Sequence, residues 1–276
     1  MLVFCKRLWS VILCLILISA TLLGCGNTPD NAKELLAKVY NNMAEVSSFG
    51  MKSKLMMDTS MSSIASSIQI NTEVQMTNDP FVLTVVQEYC NDGQEPVTNY
   101  MYTRQAKALE TFLYKNGQWN KTEIDLNQLE ELKKEYSGPV DFSLYFNEVA
   151  SFTITSSDDK VIVVEGTVSG SNMVNVLKET GVLKQLSLSS FPEEQLEGAK
   201  PIKVKAWIDK DSLCFTKISI DMAATYQDLT NLLFGEDSLV NPQINQCMVE
   251  LNDICINQQY SVVMPEDIQS SLNEQL

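Results

Sequence analysis

Histidine is missing from all 276 residues, and that absence bounds the chemistry open to the chain. Ser-His-Asp and Cys-His catalysis both rely on an imidazole as general base, and zinc loses its commonest ligand. Carboxylates are left for acid–base work. Asp158-Asp159, Glu193-Glu194 and Glu236-Asp237 lie in polar, turn-like runs, which read as solvated surface. A glycosidase needs only two carboxylates, so an enzyme is not excluded, but no spacing brings such a pair into a cleft. Asp209 and Asp211 open like a calcium loop, yet the glycine and distal glutamate that complete one are missing. That run reads as a turn. No metal and no cofactor are expected.

Thiols are the next candidates. Of seven cysteines, Cys5, Cys14 and Cys25 fall in or just after an apolar start, leaving Cys90, Cys214, Cys247 and Cys255. No Cys-x-x-Cys pair occurs, which removes the common zinc and thioredoxin-like readings. On one continuous strand Cys247 and Cys255 would stand roughly 26 Å apart, at about 3.3 Å per residue. A turn at Asn252-Asp253 would set Cys255 opposite Glu250, so neither arrangement suits a bridge between them. Spacing alone leaves Cys90 and Cys214 undecided.

Cys25 differs from the others in its setting. Lys6 and Arg7 precede a nearly unbroken apolar run from Leu8 to Leu23, the pattern of an export leader held by its basic start. The run is shorter than the roughly 20 residues of a permanent membrane span, although an uncleaved N-terminal anchor is the alternative. Leu22-Leu23-Gly24-Cys25 resembles the lipobox of bacterial lipoproteins. That resemblance implies diacylglycerol on the Cys25 thiol and cleavage just before it. Residues 1–24 are then a signal peptide, 25–29 the lipidated cysteine and a short tether, and 30–276 a single domain. Two acyl chains, at about 0.8 kcal/mol per buried methylene, suffice for stable anchoring. The expected address is the extracytoplasmic face of a bacterial cell membrane. Gly26-Asn27-Thr28 reaches only about 10–14 Å when extended, so the domain would ride close to the headgroups.

Removing residues 1–24 takes away two basic and no acidic residues, leaving 18 Lys+Arg against 35 Asp+Glu and a side-chain charge of −17. Nucleic acid is excluded as a partner, since its binding rests on neutralising phosphates. A polybasic membrane-surface mode is excluded on the same ground. About 250 residues can bury a core without disulfides. The 12 methionines suit an irregular core or an adaptable apolar surface.

The elements that would position a site follow from periodicity. Thr28-Pro29 suits the start of a helix, and Ala32, Leu35, Leu36, Val39, Met43 and Val46 then recur at helical spacing. Strands come next: Phe49 to Met57, Ile68 to Met76, Phe81 to Tyr89 and Thr98 to Arg104, with a turn at Asn78-Asp79-Pro80. Thr111–Lys115 and Gln118–Lys121 flank Asn116-Gly117, the strongest hairpin signal in the chain. Short turns between consecutive strands predict an antiparallel meander. Leu126, Leu129 and Leu132 predict a helical stretch, Ser151 to Val168 a hairpin, and Ser171 to Leu186 a helix. Ile202–Ile208, Leu213–Met222, Ile244–Ile256 and Tyr260–Met264 read as strands, with a short helix over Tyr226–Phe234. No linker-like stretch divides them.

The order of several short motifs resembles a known family. Val46-Ser47-Ser48-Phe49 ends the first helix and opens a long strand. The Tyr114-Lys115-Asn116-Gly117-Gln118-Trp119 hairpin follows, then Ala206-Trp207-Ile208-Asp209-Lys210-Asp211, then Val263-Met264-Pro265-Glu266-Asp267-Ile268. This arrangement is similar to uncharacterised lipoproteins of Gram-positive bacteria grouped with the LolA, LolB and LppX/LprG-like fold. The resemblance implies an α+β fold: a strongly curved antiparallel sheet, an incomplete barrel, with helices packed on its concave side. It also implies a cavity for acyl chains or lipoproteins between sheet and helices, although one fold hosts many functions.

If the sheet curls, Phe49, Met51, Leu55, Met57, Ile68, Ile70, Val74 and Met76 fall on one face. With the first helix packed against them they are core; with it held off they line a cavity for a lipid or acyl chain. Trp119 and Trp207 stand beside turns and read as rim packing. The function expected is non-enzymatic binding or carriage of a hydrophobic ligand. The alternative is an interaction or sensor module of the cell envelope with no small ligand. The sequence identifies no protein partner.

Overall fold

The computed structural model describes residues 31–43, 47–62, 64–92, 94–115, 117–130, 146, 151–179, 182–185, 187–236, 238, 240–257 and 268. Cys25, the leader and tether, Leu132 and the strand expected over Tyr260–Met264 lie outside the described residues.

Helix α1 spans Ala32–Met43. Its cap is Asn31, whose side-chain oxygen accepts the Glu34 N–H at 2.9 Å. Thr28 and Pro29, expected at the helix start, lie outside the described residues. Asn31 serves as a cap because its oxygen reaches the third residue of the first turn, where a backbone donor would otherwise go unpaired. Leu35, Leu36, Val39 and Met43 form the buried stripe.

Six strands then follow one another: β1 (Ser48–Met61), β2 (Ile64–Asn78), β3 (Phe81–Asn91), β4 (Val97–Gln105), β5 (Leu109–Lys115) and β6 (Gln118–Ile124). Each pairs antiparallel with the next. Lys115 pairs with Gln118 across the Asn-Gly turn, and Gly117 takes φ +79°, a left-handed conformation that suits glycine there. A short 3₁₀ turn, Leu126–Gln128, comes next, capped by Asp125.

The second half is another meander with helices interleaved. Its elements are β7 (Thr153–Ser157), β8 (Val161–Val168), α2 (Gly170–Glu179), α3 (Val182–Gln185), α4 (Glu193–Glu197), β9 (Ile202–Asp209), β10 (Phe215–Asp221), α5 (Ala223–Phe234) and β11 (Gln243–Ile256). The helix expected over Ser171–Leu186 is described as the two segments α2 and α3, with 180–181 outside the described residues. Helix α4, at the Glu193-Glu194 run, went unpredicted because five residues are too few to show a period.

β11 joins the two meanders by pairing antiparallel with β1, giving one eleven-stranded sheet in the order β6-β5-β4-β3-β2-β1-β11-β10-β9-β8-β7. The sheet is open, with β6 and β7 at its edges. Two irregularities bend the central seam. Asp253 and Ile254 together oppose Met51, and Asn245 is the extra residue between the Asp58 and Thr59 pairings. Bulges of this kind increase the local twist and curve the strand. Asp253 takes φ +52° and pairs its carboxylate with Lys52 at 3.0 Å. The architecture is α+β: a curved antiparallel sheet, not closed, with helices on its concave side.

One core cluster unites α1, the inward face of the sheet and the helices of the second half. Tyr40 of α1 meets Phe146 and Phe215 edge-on at 6.5 and 6.4 Å, and Phe146 stacks on Phe215 at 5.2 Å. Asn42 donates to the Ser212 carbonyl at 2.9 Å, tying the last turn of α1 to the β9–β10 loop. At that loop Asp209 accepts the Ser212 N–H and hydroxyl, both at 2.8 Å, so the Asp209–Asp211 run is a side-chain-capped turn.

Candidate functional site

Strand register decides which residues share the inward face. Phe49 pairs with Met76, Met51 with Val74, Leu55 with Ile70 and Met57 with Ile68, so all eight predicted residues lie on one side of β1 and β2. They do not share one environment. Phe49, Met51, Val74 and Met76 are buried in the main core together with the α1 stripe. Leu55, Met57 and Ile70 are half-buried, and Ile68 is 39% exposed. Packed core thus accounts for one end of these strands, and the other end is partly exposed.

The register carries the open end across neighbouring strands. The row Leu55–Ile70 continues through Tyr89 on β3 to Val97 on β4. Beyond it, Met61 faces Ile64 at the β1–β2 turn. Ile64 is 68% exposed and Val97 59%, and Met61 and Tyr89 are exposed as well. Val249 and Cys247 of β11 flank the row on the other side, opposite Leu55 and Met57. The result is a partly exposed apolar surface, interrupted before Met61 and Ile64 by the Thr59–Ser66 pair.

Between the covered core and the open end runs one polar row: Ser53, Thr72, Gln87 and Asn99, each paired with the next. All four are half-buried. Gln87 donates to the Thr72 hydroxyl at 3.4 Å, and the Tyr89 hydroxyl donates to Gln87 Oε1 at 2.7 Å.

Tyr89, Val97, Met61 and Ile64 were not named from sequence. The alternation Leu83-x-Val85-x-Gln87-x-Tyr89 was legible, but which rows it would join depended on cross-strand register.

The opposite face of the first meander is polar over β1–β3 and aromatic at its edge. Tyr114 and Trp119 lie 5.1 Å apart, and Tyr100 meets Tyr114 at 5.8 Å. Ile268 is buried beside Tyr102 and Phe112. Glu110 on this face accepts Arg104 Nε at 2.6 Å and Lys121 Nζ at 2.8 Å. Its carboxyl is held below the ordinary range, first by Lys121 and then by Arg104, against the opposite pull of burial. In the second meander a groove of about 520 Å³ on the outward face of β7–β10 is lined by side chains that include Thr153, Thr155, Glu165, Lys203, Lys205 and Asp221. Its lysines are paired, Lys205 with Glu165 at 2.6 Å and Lys203 with Asp221 at 3.8 Å. Charged and hydroxyl side chains line this groove, unlike the open end of the inward face. Trp207 stands between Lys205 and Lys217, whose ammonium groups lie 5.2 and 5.1 Å from its ring.

Cys90, Cys214, Cys247 and Cys255 are all free thiols. Cys247 is buried; burial first, and the Asp221 charge second, push its thiol up to about 12. Among the described residues no group of three or more Cys, Asp or Glu could hold a metal ion. No described helix is long and apolar enough to cross a membrane.

Residues 31–233 match the model of a "Family of unknown function (DUF6612)". The chain belongs to that family. The match runs from α1 to α5 and so includes β1–β4 and their inward face, while β11 lies beyond it. No curated protein matches the chain. Among solved structures it is similar to LprF from Mycobacterium bovis, at 12% identity and a TM-score of 0.42, over 85% of this chain and 95% of that one. It is also similar to a DUF1329 family protein from Desulfovibrio piger, at 8% identity and a TM-score of 0.21, over 83% of this chain and 92% of that one.

Proposed function

We propose that this DUF6612 chain is a non-enzymatic, lipid-anchored protein of the extracytoplasmic face of a bacterial cell membrane. On this reading the open end of its inward sheet face takes up a hydrophobic ligand. One observation supports it above the rest: the face buried in the core at Phe49 and Met76 turns apolar again beyond the Ser53–Thr72 pair, through half-buried Leu55 and Ile70 to exposed Tyr89 and Val97. A core face that outruns its helices gains nothing for folding at its bare end. An aliphatic ligand laid along it would recover about 25 cal/mol per Å² of apolar surface removed from water. The Leu22–Cys25 run supports the anchor, and a tether of three residues would keep this face near a source of lipid.

Gentle purification, organic extraction and mass spectrometry test the ligand. A stoichiometric apolar molecule is the expected result. An extract with none, alongside a single protein cross-linked in intact membranes, would replace this reading with an interaction module. Cells fed labelled palmitate test the anchor: the wild-type chain should take up label and Cys25→Ala should not.

A further inference from the structure

We infer that the open end of the inward face selects uncharged aliphatic molecules carrying a hydroxyl, ester or amide, and rejects anionic ones; this rests on the ligand-binding reading above. The warrant is the distribution of charge across β1–β4. Their charged residues are Lys52, Lys54, Asp58, Glu73, Glu88 and Arg104. By register every one of them sits on the opposite face from Leu55, Ile70, Tyr89 and Val97. Lys52 pairs with Glu73, Lys54 with Asn71, which pairs with Glu88, Asp58 with Ser67, and Arg104 with Val82. Asp92, in the turn after β3, has its carboxylate committed to the Ser67 N–H. A carboxylate or phosphate laid on the inward face of these strands would meet no counter-charge from them. It would lose hydration there without replacement, inside a chain whose net charge is already −15.

The same face does offer neutral hydrogen-bonding groups: one row lies beside the covered core, and Thr59, Ser66 and Asn91 lie nearer the β1–β2 turn. In the row Ser53–Thr72–Gln87–Asn99, Thr72 and Gln87 bond to each other and Gln87 to Tyr89. The side chains of Ser53 and Asn99 have no hydrogen-bond partner among the described residues. A hydroxyl and a primary amide in that state can both donate and accept, which matches an alcohol, ester or amide and gives no advantage to a full charge. From Ser53 to Met61 the strand runs about 26 Å at about 3.3 Å per residue. The polar group would sit against the row, and one long hydrocarbon chain would run outward over Leu55 and Ile70 toward Met61.

The test uses the purified, lipid-stripped protein with radiolabelled oleoyl alcohol and radiolabelled oleate at pH 8, each below its aggregation limit. The alcohol should bind about tenfold tighter or better, a difference of about 1.4 kcal/mol. Asn99→Lys places a cation in the polar row itself, where the ligand's polar group is held, and should raise oleate affinity enough to close or reverse that gap. An unaltered urea transition would show that the variant still folds. Equal affinity of the wild type for both ligands overturns the selection while leaving hydrophobic binding intact. An unchanged preference in Asn99→Lys overturns its assignment to this face. Binding of neither ligand, with a dimer in sedimentation that Ile68→Lys dissolves, overturns both this inference and the reading beneath it.

Discussion

Two side chains on β2 should answer the same truncation very differently. Met76 is fully buried in the core cluster that also holds the α1 stripe, whereas Ile68, eight residues earlier on the same face, is 39% exposed. Met76→Ala removes buried atoms and leaves a cavity that the packed helix cannot collapse to fill, at a cost of about 3 kcal/mol. Ile68→Ala removes three carbons worth about 0.8 kcal/mol each if wholly buried. Part of that surface is already wet and no closed cavity is left behind, so the expected cost is about 1 kcal/mol. In urea, with m of about 2–3 kcal/mol/M, the transition midpoint should fall by about 1 M for Met76→Ala and by a few tenths for Ile68→Ala. Ligand retention should show the reverse order, falling in Ile68→Ala and staying intact per folded molecule in Met76→Ala. Midpoint shifts of equal size would mean that Ile68 is covered in solution, and the reasoning about an open end would fail.

Other parts of the molecule make sharp predictions too. Glu110→Gln should lower stability at pH 7 by about 1 kcal/mol or less, since its partners are partly solvated. Because the Glu110 carboxyl is held below its ordinary 4.5 in the folded state, its contribution is present above that value and lost as pH falls through the lower folded one. The melting temperatures of wild type and Glu110→Gln should therefore converge on acidification, and a constant gap would refute the linkage. With a thiol near 12, Cys247 carries about one thiolate in ten thousand at pH 8; timed alkylation and mass spectrometry should find it the last cysteine modified natively, and as fast as the others in urea. Gly166→Ala would set a methyl 2.6 Å from the Phe152 ring, which itself packs on Phe146. Overpacking of about 1–3 kcal/mol should result, measurable as a lowered unfolding midpoint.

Period and turn chemistry, which are local, were readable from the chain. The alternation of Phe49 to Met57 and Ile68 to Met76 depends only on the pleat, and the Asn116-Gly117 turn only on backbone preference. Cys247 and Cys255 lie eight residues apart on the single strand β11, one of the two arrangements weighed from sequence. Helix ends were less legible, because capping is settled by which side chain actually reaches a free N–H, and Asn31 does so. Short α4 gave too few residues for a pattern.

The joining of the two meanders was not written in any local stretch. β1 and β11 are separated by nearly the whole domain, and their pairing rests on two complementary faces meeting after each meander has formed. The same is true of the candidate site. Sequence alone placed eight apolar residues on one face, since side-chain direction alternates residue by residue. How far the core reaches along that face depends on what packs against it in three dimensions, so only the tertiary structure separated packed Phe49 and Met76 from exposed Ile68. The polar row of Ser53, Thr72, Gln87 and Asn99 also depends on pairing: four consecutive strands bring these residues to one level only once their register is set.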